Sequence, residues 1–288
     1  MMTPAMSDDP KTLVSISWLA AHLKDPDVRI LDASWYMPDA GRDAKAAYAA
    51  GHIPGARFFD IDEISDGRSE LPHMAPPVEK FMSRMRAMGV GDGHQVVIYD
   101  GAGLFSAARV WWLFRLMGQK NVAVLDGGLP KWVADGHPVT KAAPTIRDRH
   151  MTVKLQAHRV RDVTEVARAA KLGDHSIIDA RAPGRFKGDQ PEPREGMRSG
   201  HIPGSRNVFY QDLLNPDGTM KPPNAMRTVF LDAGVDLSKP AITTCGSGVT
   251  AAILSLALER IGKTDHALYD GSWSEWGMYA DLPIATGA

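Results

Sequence analysis

The sequence predicts an α/β protein built from two copies of one domain, each with a parallel β-sheet covered by helices on both faces. The first observation is a repeat, because Gly51-His-Ile-Pro-Gly-Ala-Arg57 returns as Gly200-His-Ile-Pro-Gly-Ser-Arg206. The second is that short apolar runs alternate with helical patterns in each half. The third is that these runs lack the polar–apolar alternation of strands with one face in water.

The repeated unit is a whole domain, because other landmarks also return in the same order. Asp126-Gly-Gly-Leu-Pro-Lys-Trp132 is matched by Asp270-Gly-Ser-Trp-Ser-Glu-Trp276. The period is far longer than the roughly 20–50 residues of solenoid repeats. We therefore expect one domain at 11–142, a polar linker at 143–155 and a second domain at 156–288.

Strands are expected at six buried apolar runs, and helices at four longer segments. The predicted strands are Val28–Leu31, Val96–Tyr99, Val122–Leu125, Ile177–Asp179, Ala241–Thr244 and Ala267–Tyr269. The predicted helices are Pro77–Met88, Ser106–Leu116, Val163–Lys171 and Val249–Ile261.

Composition argues against several classes of protein. The formal net charge is −1, which gives no overall attraction to nucleic acid or to a membrane surface. Met1 to Pro10 lacks the apolar run of a secretory signal, and no segment has the length and apolarity of a transmembrane helix. One cysteine excludes an internal disulfide and a cysteine-based zinc site. We expect a cytoplasmic protein that needs no metal or organic cofactor.

The two halves differ at the position that follows the second predicted strand of each. Val97-Ile-Tyr-Asp100-Gly-Ala-Gly-Leu104 corresponds to Ile242-Thr-Thr-Cys245-Gly-Ser-Gly-Val249. In parallel sheets, ligands bind at the carboxyl ends of strands. A glycine-rich turn before a helix directs backbone N–H groups inward, and such a nest stabilises a thiolate or a persulfide. Cys245 is therefore the expected nucleophile, and the expected cradle consists of Gly246, Ser247, Gly248, Val249 and Thr250.

Other cysteine chemistries fit the loop less well. A cysteine phosphatase has an arginine six positions after its cysteine, where this sequence has Ala251. A dinucleotide site needs a third glycine that Gly246-Ser-Gly248 lacks. A cysteine hydrolase with His52 as its base stays a weaker alternative. A buried, inert cysteine is the structural alternative.

The segment Cys245-Gly-Ser-Gly-Val-Thr-Ala251 resembles the active loop of the 3-mercaptopyruvate sulfurtransferase branch of the rhodanese family. The resemblance extends from about Leu13 to Pro283 and includes the repeated motifs given above. It implies two tandem rhodanese-like domains, the first non-catalytic and the second catalytic, with an active site in the cleft between them.

The resemblance also assigns roles to side chains outside the loop. Arg185 and Arg194 match substrate-binding arginines, and a planar guanidinium suits the carboxylate of mercaptopyruvate. Ser247, His52 and Asp43 match a proposed proton relay. Because His201 occupies the same repeated motif as His52, a turn-anchoring role for His52 is an equal alternative.

The function implied is transfer of sulfur from 3-mercaptopyruvate, through a Cys245 persulfide, to a thiol or to cyanide, with release of pyruvate. The thiol acceptor would be thioredoxin or a small thiol. Family members that use thiosulfate carry basic residues just after the cysteine, where this sequence has Gly246, Ser247 and Gly248. Thiosulfate sulfurtransferase is the nearest alternative, and a non-catalytic sulfur-binding or scaffold protein is a more distant one.

Overall fold

The computed structural model describes residues 8–287, which form two compact units. The first comprises 8–64, 76–155 and 216–222; the second comprises 65–75, 156–215 and 223–287. These units differ from the expected domains by the two short segments 65–75 and 216–222, and the expected linker 143–155 is part of the first unit.

Most of the segment in which we expect no secretory signal lies outside the described residues, since the description starts at Asp8. Among residues 8–287, every helix falls short of the length or the apolarity that crossing a bilayer requires.

The first unit contains a five-stranded, fully parallel sheet. Its strands are β1 (Leu13–Val14), β2 (Val28–Asp32), β3 (Arg57–Phe58), β4 (Gln95–Tyr99) and β5 (Val122–Leu125). Its α-helices are α1 (Ile16–His22), α2 (Ala44–Ala50), α3 (Ile61–Ile64), α4 (Val78–Ala87), α5 (Ala107–Leu116) and α6 (Gly128–Ala134). The strand order across the sheet is β1-β5-β4-β2-β3.

The second unit repeats this topology. Its strands are β6 (Val160–Arg161), β7 (Ser176–Asp179), β8 (Arg206–Asn207), β9 (Ala241–Thr244) and β10 (His266–Tyr269). Its α-helices are α7 (Val163–Leu172), α8 (Pro183–Lys187), α9 (Pro223–Asp232), α10 (Ala251–Arg260) and α11 (Ser272–Trp276). The order β6-β10-β9-β7-β8 matches the first sheet strand for strand, which confirms the α/β class and the duplication.

All six predicted strands and all four predicted helices are present, with ends that differ from the predicted ones by at most two residues. The sequence analysis missed the two-residue strands, the short helices and one ten-residue helix, α9. Elements of two to seven residues are too short to display a hydrophobic period, so only pairing in the folded sheet defines them.

Helix α10, which follows the Cys245 loop, is buried on every side along its first eight residues, Ala251 to Leu258. A helix that is apolar all round belongs in a core, so its position is fixed by packing rather than by solvent. The loop between β9 and α10 is therefore held at both ends by buried elements.

Candidate functional site

Cys245 lies directly after β9 and opens the loop that leads into α10. It is 2% exposed, and Ser247 in the same loop is 9% exposed. Gly248 has a φ of 79°, a left-handed conformation that glycine adopts without steric cost. The expected order of strand, cysteine, glycine turn and helix is thus the order in the structure.

The first turn of α11 fixes the backbone of this loop. The Ser272 hydroxyl accepts a hydrogen bond from the Cys245 N–H at 3.2 Å and donates one to the Tyr269 carbonyl at 2.8 Å. The N–H groups of Trp273 and Ser274 donate to the carbonyls of Cys245 and Gly246, at 2.9 and 2.8 Å. Ser272 is fully buried with a φ of 51°, a left-handed conformation that is costly for a residue other than glycine. The motif from Asp270 to Trp276 therefore holds the cysteine loop in place.

The equivalent loop of the first unit shows what such a backbone binds. Oδ1 of Asp100 accepts a hydrogen bond from the Ala102 N–H at 2.9 Å. Oδ2 accepts three more, from the N–H groups of Phe105, Ser106 and Ala107, at 2.8 to 2.9 Å. The carboxylate is fully buried, so these N–H groups provide the hydrogen bonds that water would donate to an exposed carboxylate. The loop is a nest for an anion that the chain itself supplies.

In the second unit the same loop carries Cys245 in place of that carboxylate. By the correspondence between the two loops, the first three of those N–H groups have their equivalents at Ser247, Thr250 and Ala251. Two of these lie within the expected cradle of 246–250, and Ala251 extends it by one residue. The assignment of the cradle stays a prediction.

Arg185, on α8, lies beside the residue that follows the cysteine. A Cβ atom built on Gly246 would lie 3.1 Å from Nη2 of Arg185. The guanidinium also pairs with Glu192, with Nη2 to Oε2 at 2.5 Å and Nε to Oε1 at 3.3 Å. Its side chain keeps 24% of its surface exposed. The structure therefore places one predicted substrate-binding arginine next to the cysteine loop.

Behind Arg185 lies a buried network of charges that the sequence analysis missed. Glu192 also pairs with Arg181 at 2.8 Å, and Arg181 pairs with Asp179 at 2.7 Å. Burial alone would lower the pKa of Arg181, but Asp179 and then Glu192 outweigh burial and hold this pKa above its usual value. The available signal was the position of Arg181, two residues after the acidic end of a predicted strand.

Arg194, the second predicted arginine, is exposed on the wall of a cavity of about 510 Å³ in the second unit. The wall also includes Ser274, whose N–H group holds the Gly246 carbonyl, so the cavity adjoins the cysteine loop. Glu275 lies on the same wall, and burial, together with the nearby Asp162 and Asp270 carboxylates, raises the pKa of Glu275.

His52 is bound by partners of its own unit. Its ring nitrogens lie 2.9 Å from the Tyr48 carbonyl and 3.2 Å from the Ala142 carbonyl, and its ring stacks on Tyr48. His201 repeats this arrangement, with Nδ1 2.8 Å from the Phe186 carbonyl and its ring on Phe186. Two histidines with the same local contacts in both units favour the turn-anchoring alternative.

Asp43 and Ser247 each contact a partner within their own unit, and the expected relay stays a prediction. Asp43 is exposed and caps α2, because its carboxylate accepts a hydrogen bond from the Ala46 N–H at 2.8 Å. The Ser247 hydroxyl lies 3.0 Å from Nδ1 of His73, which is 6% exposed and has a φ of 61°. Within the second unit, the histidine that contacts Ser247 is thus His73. The sequence analysis missed it because His73 belongs to no repeated motif.

Comparisons with known proteins agree with this architecture. The family model for the rhodanese-like domain matches residues 15–135 and 162–279. The crystal structure of SseA from Escherichia coli, published as a study of the rhodanese fold and the mechanism of 3-mercaptopyruvate sulfotransferases, is similar with a TM-score of 0.83. Its sequence is 39% identical, and the match covers 91% of this chain and 99% of that one.

Two relatives with the same identity carry different donor names. The 3-mercaptopyruvate sulfurtransferase of Escherichia coli strain K12 is 42% identical over 272 residues, covering 94% of this chain and 96% of the relative. The thiosulfate sulfurtransferase of Rattus norvegicus is 42% identical over 273 residues, covering 92% of each. Overall identity therefore does not select the donor, and the residues around Cys245 have to decide it.

Proposed function

We propose that this chain, which belongs to the rhodanese-like family and is a sulfurtransferase, moves sulfur from 3-mercaptopyruvate to a thiol through a persulfide on Cys245. The observation that carries the proposal is the pair of matching loops. In the first unit the nest binds the Asp100 carboxylate, and in the second the corresponding loop begins with the buried Cys245. A nest that accepts a buried carboxylate suits a thiolate and then the terminal sulfur of a persulfide.

In the first step the Cys245 thiolate attacks the thiol sulfur of the donor. A sulfur–sulfur bond forms, the carbon–sulfur bond breaks, and its electron pair passes to the carbon as the enolate of pyruvate. The proton given up by the donor thiol ends on that carbon, so the products are pyruvate and the persulfide anion. Arg185 binds the donor's oxygen atoms beside Gly246 and stabilises the enolate charge as it develops. Arg194 contributes from the cavity wall.

The second step returns the enzyme to its thiolate form. An acceptor thiolate attacks the outer sulfur and leaves with it as a new persulfide, or cyanide removes the same sulfur as thiocyanate. We propose thioredoxin or a small thiol as the acceptor, in the cytoplasm, since a free cysteine nucleophile suits a reducing compartment. Adding each reduced thiol to the loaded enzyme and measuring the loss of persulfide identifies the one that is used.

Thiosulfate is the second candidate donor, because the rat relative with 42% identity is named a thiosulfate sulfurtransferase. Thiosulfate is a compact dianion whose charge lies close to the sulfur under attack. The residues after Cys245 are neutral, and the nearby cation Arg185 already pairs with Glu192. One partly neutralised guanidinium suits a monoanion such as mercaptopyruvate better than a dianion.

Donor choice is tested by measuring kcat/KM for both donors side by side, with cyanide as the common acceptor. We expect mercaptopyruvate to exceed thiosulfate by at least about tenfold, a difference of roughly 1.4 kcal/mol in transition-state binding. A value for thiosulfate equal to or above that for mercaptopyruvate would contradict the donor assignment and leave the sulfurtransferase class standing.

The His73–Ser247 contact gives a further prediction. We propose that His73 exchanges a proton with Ser247 during turnover. In His73→Gln the amide can keep a hydrogen bond to Ser247 but cannot take up a proton. We expect kcat with mercaptopyruvate to fall about tenfold or more and the pH–rate profile to lose one limb. The matched control is His52→Gln, which should lower the melting temperature and keep the shape of the profile. If His52→Gln loses a limb of the pH–rate profile and His73→Gln keeps both limbs, the proton-transfer role belongs to His52.

A further inference from the structure

Glu192 bridges a buried arginine and the arginine beside the cysteine loop. Its side chain has no exposed surface, Oε1 pairs with Arg181 at 2.8 Å, and Oε2 pairs with Arg185 at 2.5 Å. We propose that Glu192 is a positioning residue, which holds the Arg185 guanidinium beside Gly246 and limits the affinity of the site for dianionic donors. The inference rests on the proposed function and deepens it.

The geometric part follows from how the four charged side chains are buried. Asp179, Arg181 and Glu192 are each at most 1% exposed, whereas Arg185 is 24% exposed. Arg181 is itself fixed, because its guanidinium lies 4.3 Å from the centroid of the Trp273 ring. The three buried side chains thus form a rigid base. Through its ion pair with Arg185, Glu192 fixes the position of the one guanidinium in this network that would contact the donor. A long arginine side chain held in this way loses less freedom when the donor binds.

The electrostatic part follows from the charge of the network. Asp179 and Glu192 balance Arg181 and Arg185, so the four groups sum to zero. This network therefore presents to the donor a local dipole with its positive end outward, rather than a net positive charge. Because Coulomb energy scales with the charge of the ligand, an added positive charge favours a dianion about twice as much as a monoanion at the same distance.

Two substitutions at Glu192 separate position from charge. Glu192→Gln has the same size and removes the negative charge, so it leaves the network at +1. Glu192→Asp keeps the charge but is one methylene shorter, so it reaches both guanidinium groups less well. If the Arg185 guanidinium is displaced, kcat/KM falls for both donors by a similar factor, so the ratio of the two values is unchanged. A change in the charge of the network alters that ratio. The ratio of kcat/KM for thiosulfate to that for mercaptopyruvate is therefore the quantity to measure.

For Glu192→Gln we expect this ratio to rise roughly threefold to thirtyfold over the wild-type value. For Glu192→Asp we expect kcat/KM to fall about tenfold for both donors, and the ratio to stay within about twofold of wild type. The matched control is Asp189→Asn, which removes an exposed carboxylate from the same segment. Water and salt screen that charge, so neither the ratio nor either rate should change. An unchanged ratio in folded Glu192→Gln overturns the proposal, and so does an equal rise in Glu192→Asp.

A wild-type measurement keeps the proposal testable if Glu192→Gln does not fold. Sulfate and methanesulfonate are tetrahedral anions of similar size with charges of −2 and −1. As inhibitors of persulfide formation, methanesulfonate should bind at least as tightly as sulfate, and clearly tighter binding of sulfate overturns the proposal. The cyanide-labile sulfur of the wild-type enzyme is assayed in parallel. Its absence with both donors would count against the proposed function, whereas its presence with an unchanged ratio counts against the role of Glu192 alone.

Discussion

Cys245→Ser is expected to abolish sulfur transfer from either donor while the protein stays folded. A serine hydroxyl is not ionised near neutral pH and cannot carry a persulfide, so both half-reactions are lost. The replaced side chain is 2% exposed and similar in size, so the packing around the loop should be retained. Thiocyanate formation and the circular dichroism spectrum together check this result. Turnover above a tenth of the wild-type rate in Cys245→Ser would contradict the assignment of the nucleophile.

The matched control is Asp100→Asn at the equivalent position of the first unit. The buried carboxylate accepts four backbone hydrogen bonds, and the neutral amide weakens them. We expect the free energy of unfolding to fall by roughly 2–4 kcal/mol, since such bonds are charge-assisted. Sulfur transfer below the melting temperature should persist, because the two loops share a backbone design and differ in chemistry.

Arg185→Ala is expected to reduce kcat/KM with mercaptopyruvate about tenfold to hundredfold. In the proposed function the guanidinium makes a charge-assisted contact with the donor, which is worth roughly 1.5–3 kcal/mol, and each 1.4 kcal/mol is about a factor of ten. The persulfide, once formed, should still pass to cyanide at close to the wild-type rate, because Arg185 is assigned to the donor. Single-turnover measurements of the two half-reactions separate these effects.

Lys187→Ala is the control for Arg185→Ala, since it removes an exposed cation from the same short helix. Its kinetics should match wild type. Equal losses in Arg185→Ala and Lys187→Ala would indicate a general effect of charge on donor attraction rather than a contact. Unchanged kinetics in Arg185→Ala would remove this arginine from the donor site.

The sequence analysis placed the backbone of the site correctly because the information is local. The buried run Ala241–Thr244, the cysteine after it and the glycine turn at Gly248 together predict a strand, a loop and a helix start. The short strands β1, β3, β6 and β8 could not be predicted in this way. Each has two residues, and only its neighbour in the sheet makes it a strand.

Side-chain partners were harder to predict, because they depend on contacts between distant segments. His73 and Ser247 are 174 positions apart, and no local pattern connects them. His52 drew attention because it stands in a repeated motif. Repetition in fact argues against a catalytic role for His52, since Cys245 is the only cysteine and lies in one copy of the domain, whereas a histidine with similar contacts occurs in both copies. Glu192 and Arg181 are charged residues that sequence alone does not distinguish from surface residues, and only the burial of their side chains in the folded chain shows that they form an internal ion pair.

The central claim is tested most directly by the mass of the intact protein after brief exposure to 3-mercaptopyruvate without an acceptor. We expect a gain of one sulfur atom, located on the peptide that contains Cys245, with the release of one equivalent of pyruvate. Addition of cyanide should remove the extra mass and yield thiocyanate. An unchanged mass, or added sulfur on a peptide that lacks Cys245, would contradict the account.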